Sequence, residues 1–140
     1  MSGRTSRNKG ARGEREVIAL LQPVVNRVYE ARGKVPPVLK RNYMQRFAAK
    51  QYDIDGLPWI ALEIKRQERT EGISQWWKQT LASCRNGQVP VLIHRQNHGK
   101  WKVRTRLKIL IGNRRVKATM DISFDSFLVI LEQMIIEYDL

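Results

Sequence analysis

The chain is poor in cysteine, histidine and acid. Of its 140 residues only Cys84 is a cysteine, so an intrachain disulfide is excluded. One thiol and two histidines, His94 and His98, also exclude a zinc site built on two or more cysteines. Such usage fits a reducing compartment, and a cytoplasmic location in a bacterial, archaeal or phage-infected cell is expected. No apolar run approaches the roughly 18 residues that cross a bilayer, so no membrane partner is expected. Residues 1–12 carry Arg4, Arg7, Lys9 and Arg12 with no apolar stretch directly after them, which argues against a secretory leader. There is no internal repeat. Hydrophobic residues make up 42% of the chain, enough for a single domain over residues 1–140 with a core of its own.

The scarcity of acid is the first functional clue. There are 13 Asp and Glu against 26 Lys and Arg, a net charge of +13. An excess of this size points to a polyanionic partner, usually nucleic acid. The distribution says more. Residues 1–50 hold 12 basic and 3 acidic residues, residues 51–94 hold 5 of each, and residues 95–117 hold 9 basic and no acidic ones. Carboxylates therefore gather between two basic flanks. A protein that only coats nucleic acid has no use for acids beside its anionic ligand, whereas a metal-using nuclease does.

Patterning predicts a single α/β domain with a mixed sheet flanked by helices, in the order helix, hairpin, helix, hairpin, helix. Residues 1–10 are polar and basic and read as a mobile tail. A helix is expected from about Ala11 to Leu21, kinked or ended by Pro23, with Val24, Val25 and Val28 as a possible continuation. Residues 32–51 read as a basic loop. Strands are expected at Tyr52–Asp55 and Trp59–Lys65 around the turn Gly56-Leu57-Pro58. A helix over Glu71–Arg85 follows, stopped by Asn86-Gly87. Strands are then expected at Val89–Arg95 and Trp101–Leu107, and a hairpin about Gly112-Asn113. Ser123 is placed to cap a last helix reaching about Glu137.

The chemistry sits in Asp53-Ile54-Asp55 and Leu62-Glu63-Ile64-Lys65. Residues i and i+2 of a strand share a face, so Glu63 and Lys65 do, and so do Asp53 and Asp55. If the two strands pair, Asp53, Glu63 and Lys65 meet. Phosphodiester hydrolysis uses such a set. Hard oxygen ligands hold Mg²⁺, and a lysine stabilises charge on the phosphate or helps deprotonate water. A third acid is chosen by helical periodicity. Val17, Ile18, Leu21, Val24, Val25 and Val28 cluster on one face; Glu14 lies close to that face and Glu16 nearly opposite. A buried Glu14 needs a partner such as a metal or Lys65. Glu16 reads as a solvated residue paired with neighbouring arginines.

Asp53, Glu63-Ile64-Lys65 and the upstream Glu14 resemble the PD-(D/E)-x-K nuclease signature. Lys9-Gly10-Ala11-Arg12-Gly13-Glu14-Arg15-Glu16 resembles the opening of archaeal-type Holliday junction resolvases. Tyr52-Asp53-Ile54, Leu62-Glu63-Ile64-Lys65, Val89-Pro90-Val91-Leu92-Ile93 and Gly99-Lys100-Trp101-Lys102-Val103 are similar to successive strands of that family, in order, across residues 9–103. The resemblance implies a restriction-endonuclease-like fold. It implies a homodimer placing symmetric, Mg²⁺-dependent nicks in four-way DNA junctions, in recombination and repair, with Mn²⁺ as a substitute. Glu14, Asp53, Glu63 and Lys65 would be catalytic. Asp53 and Glu63 would ligate the metal with the Ile64 carbonyl, and Glu14 would assist a metal or orient the cluster. Asp55 ranks below Asp53, because the family has an apolar residue there.

Two departures stand out. Such resolvases carry a serine before the Asp strand, and this chain has no Ser or Thr between Arg7 and Arg69. The hairpin and helix of residues 104–140 have no counterpart in the family. DNA contacts are expected from Arg4, Arg7, Lys9 and Arg12, from Lys40, Arg41, Arg46 and Lys50 of the basic loop, and from Arg114 and Arg115, with Arg104, Arg106, Lys108 and Lys117 nearby. Trp76 and Trp77 read as packing residues, as does Trp59, although Trp59 shares the Glu63 face. The alternatives are a nicking or repair nuclease of the same superfamily, and a basic nucleic-acid-binding module without catalysis.

Overall fold

Apolar residues recur along the chain with two periods, near 3.6 and near 2, and each period becomes an element. The computed structural model describes residues 3–42, 52–67, 72–85, 87–96 and 98–140, with residues 3–10 described in backbone only. The elements are α1 (Gly3–Glu30), β1 (Lys40–Arg41), β2 (Ile54–Asp55), β3 (Ile60–Gln67), α2 (Ile73–Ser83), β4 (Val89–Gln96), β5 (Lys102–Ile111), β6 (Arg114–Ser123) and α3 (Phe124–Asp139). Among the described residues the six strands form one mixed sheet in sequence order. β3 and β4 are parallel, joined by the α2 crossover, and every other pair is antiparallel.

Two layers of helix cover the sheet. Val17, Leu21 and Val25 of α1 and Phe127, Leu131 and Ile135 of α3 pack in one cluster with Ile60, Leu62, Ile64, Val91, Ile93 and Val103. Trp76 and Trp77 of α2 pack with Leu92 on the opposite face. Both tryptophans are therefore packing residues. Trp59 is buried too, its ring stacked on Tyr138 with centroids 5.2 Å apart. No helix among the described residues is long and apolar enough to cross a membrane.

Helix α1 is longer than expected. Helix α1 begins at Gly3, where a mobile tail was expected over residues 1–10. Nucleating a helix is the costly step, and adding polar residues to an established one costs little. The helix also runs through Pro23 to Glu30. Pro23 and Ala19, the residue whose carbonyl loses its partner, are both exposed, so water can replace the missing bond. The burial of Val24, Val25, Val28 and Tyr29 beyond it holds the helix together. Helix α3, which the resemblance does not reach, packs on α1, β5 and β6 within the same core. Its start is capped as expected, the Ser123 hydroxyl accepting from the Ser126 N–H at 3.1 Å.

Two glycines are needed for close approach. At Gly13 a Cβ would lie 3.3 Å from Arg66 Cβ and 3.7 Å from Ile64 Cγ2, so glycine lets α1 press onto β3. At Gly56 φ is +130° and a Cβ would lie 2.9 Å from Leu39 Cδ2, so the turn from β2 toward β3 requires glycine.

Candidate active site

The site is assembled at the β2–β3 pairing. Ile54 pairs with Leu62, which sets Asp53 beside Glu63. The Asp53 N–H donates to the Leu62 carbonyl at 2.8 Å, and the Ile64 N–H donates to Asp53 Oδ2 at 2.7 Å. The Asp53 side chain thus takes up a β3 backbone donor where β2 ends, and its orientation is locked by the sheet itself. Glu63 is only 7% exposed. Its carboxyl makes hydrogen bonds with Asp53 and with Ser83 of α2. Lys65 lies two residues on, on the same face of β3, and its charge acts on both carboxyls.

Burial and the charge of a neighbouring acid raise both acids. Asp53 is pushed up to about 6, first by desolvation and then by the Glu14 charge, against the Ile64 N–H and Lys65. Glu63 is pushed up to about 9 by desolvation and by Asp53, against Lys65. The two carboxyls therefore share a proton at neutral pH. Groups raised in the folded state stabilise it at low pH. That contribution is lost as pH climbs from the unfolded values near 4 through the folded ones. In EDTA, Glu63→Gln should therefore gain stability over wild type as pH rises from about 5 to 9, by on the order of 2 kcal/mol. Urea midpoints at pH 5, 7 and 9 measure it; a gap that does not widen with pH would show that Glu63 is not raised.

Glu14 is buried as the periodicity predicted, at 5% exposure. Arg41 of β1 reaches it, Nε to Oε2 at 2.5 Å. Arg41 pairs in register with Ile54, and so lies on the α1 face of the sheet, away from Glu63 and Lys65. Arg41, expected to contact DNA, thus neutralises Glu14. The field of Glu14 still reaches Asp53. Glu16 is half-buried between Arg66 at 3.0 Å and Arg95 at 3.1 Å, so its partners are strand arginines from β3 and β4. The Asp55 carboxylate accepts from the Tyr52 hydroxyl at 3.4 Å, on the strand end away from Lys65.

The donor set decides what the site can hold. Among the described residues no three acidic, histidine or cysteine side chains converge to hold a metal ion. Asp53 and Glu63 supply two crowded carboxylates. Mg²⁺ is commonly held by one or two carboxylates with waters and substrate phosphate completing its shell. The pair fits that requirement; a three-acid site including Glu14 is not formed.

The basic residues divide by position. Arg12 and Lys40 are exposed. Arg106 lies over the Trp77 ring, 5.8 Å from its centroid. With Arg85, Lys108 and Lys117 it lines a cleft of about 580 Å³ at the end of α2, whose lining holds no acidic side chain among the described residues. Arg114 is exposed beside the hairpin turn, and Arg115 lines a groove shared with Met134 and Glu137 of α3. Arg46 and Lys50, and the side chains of Arg4, Arg7 and Lys9, lie outside the described residues.

Sequence reasoning missed Ser83 and Arg41 as a partner for Glu14, and it set aside His94 as a residue that could touch phosphate. The parallel β3–β4 register sets His94 beside Lys65. No local pattern carries a register across a crossover helix. No family model, curated protein or solved structure matches this chain.

Proposed function

We propose that this chain is a metal-dependent DNA endonuclease of the restriction-endonuclease-like fold, acting on four-way junctions as a homodimer. One observation carries the nuclease reading. Asp53 and Glu63 are desolvated against each other on adjacent strands, with Lys65 two residues along. A structural ion pair would not crowd two acids at the cost of both pKa values. The choice of a four-way junction rests on the motif order across residues 9–103.

In this reading Asp53 and Glu63 hold the cation. When bound, it supplies positive charge against the phosphate and a more acidic water. Both carboxyls must give up their shared proton to bind it, so activity should rise with pH through the range where they ionise. Ser83 and the Ile64 N–H fix the two carboxyls, so little reorganisation is needed. Lys65 projects from the Glu63 face of β3, where its charge offsets that of the phosphate. Arg41 pairs with Glu14 on the other face of the sheet, so Glu14 is not free to hold the cation.

The test is cleavage of a synthetic four-way junction, with duplex and single-strand controls, in Mg²⁺ and in EDTA. Paired nicks near the branch point, only in metal and only on the junction, are expected. Metal-dependent cutting of every substrate would leave a general nuclease. No cutting in Mg²⁺ or Mn²⁺ would leave a binding module. Arg114→Ala should weaken binding and lower the salt slope by about one. Unchanged affinity and slope would remove the hairpin from the interface.

A further inference from the structure

A second cleft opens on the same sheet face as Glu63 and Lys65, with His94 in its wall. Its volume is about 490 Å³, and Ile73, Lys100, Lys102, Arg104 and Asp121 share its lining. His94 is 4% exposed and its Nδ1 has no hydrogen-bond partner. A buried polar nitrogen left unpaired is costly, and it points to a group that completes it. The Trp76 ring packs near the imidazole, with centroids 6.1 Å apart.

The surrounding charge defines that group. Lys100, Lys102 and Arg104 are cationic. Asp121 is the only acid among the described residues of the lining, and Arg104 holds it through two bonds of 2.7 and 3.0 Å. The cleft is net positive. Helix α2 begins at Ile73, so its positive N-terminal end adjoins the cleft. Burial lowers the basicity of His94. A neutral imidazole offers one N–H donor to an anion and leaves the cationic charge to the lysines and Arg104.

The position identifies the source of the anion. Lys65 and His94 are register partners on adjacent parallel strands, about 4.8 Å apart. The cleft therefore lies one strand over from Lys65, which is two residues from Glu63 on the same sheet face. We infer that the His94 cleft is a second phosphate subsite, holding a backbone phosphate of the same nucleic acid beside the one placed at Asp53 and Glu63. This rests on the nuclease reading for its neighbour, but the binding itself is measured without cleavage.

The experiment follows the imidazole ¹⁵N resonances of His94 in EDTA, with exposed His98 as the internal control. Inorganic phosphate and a ten-residue oligothymidylate are titrated separately. Both are expected to shift His94 saturably and leave His98 unmoved. Lys102→Ala, a change at an exposed position, should weaken both by about tenfold, the usual scale for one charged hydrogen bond. A His94 that responds to neither probe overturns the subsite. A response to phosphate alone overturns its assignment to nucleic acid. If the oligonucleotide shifts His94 and yet no substrate is cut in Mg²⁺ or Mn²⁺, the nuclease reading fails and the subsite stands.

Discussion

Glu63→Gln should abolish cleavage, by about a thousandfold or more, and leave DNA binding intact. The change keeps the shape and the hydrogen bonds to Asp53 and Ser83 but removes a charge the cation needs. Losing one well-placed electrostatic group costs on the order of 10²–10³ in rate, and here the remaining carboxyl must hold the cation alone. Binding should hold or tighten, because an acid beside an anionic backbone has been neutralised. The same substitution removes the least favourably placed charge in the fold, so the inactive protein is expected to be the more stable one in EDTA at alkaline pH. Gain of stability with loss of activity at one residue marks a site strained for function. A purely structural Glu63 would lose stability on substitution and leave catalysis alone. Lost binding with retained cleavage would end its assignment as a metal-holding residue.

Much of this site is legible in the sequence, for a local reason. Strand alternation and a short turn are properties of a few consecutive residues, so the meeting of Asp53, Glu63 and Lys65 follows from Gly56-Leu57-Pro58 and the pattern around it. The buried position of Glu14 follows from helical periodicity, the Ser123 cap from hydroxyl chemistry, and the last hairpin from Gly112-Asn113. What the sequence hides is decided at a distance. Arg41 lies 27 residues from Glu14, and nothing local shows that a loop arginine becomes a two-residue strand on the α1 face. At Pro23 the sequence leaves both a stop and a continuation open, because propensity speaks against the helix and the core speaks for it. Ser83 and His94 enter through α2 packing and the parallel register, and neither is written in either segment alone.

Residues 104–140 give the last prediction, because the family resemblance stops before them. An appended hairpin and helix could be trimmed at little cost; a structural half could not. The packing favours the second. Phe127 is 0% exposed and sits in one cluster with Leu21 of α1 and Ile60, Leu62 and Ile64 of β3. α3 packs on α1, β5 and β6, and so supports through α1 the strand that carries Glu63 and Lys65. Phe127→Ala should therefore cost about 3–5 kcal/mol, lost burial and the cavity together. That is a large part of the roughly 5–15 kcal/mol typical of a domain. The urea midpoint should fall steeply. Where the protein remains folded, cleavage per folded molecule should change far less than in Glu63→Gln, since no group facing the DNA is removed. A cost below about 1 kcal/mol, the range of ordinary surface changes, would mean that α3 docks loosely. The catalytic strand would then have to be supported by α1 alone.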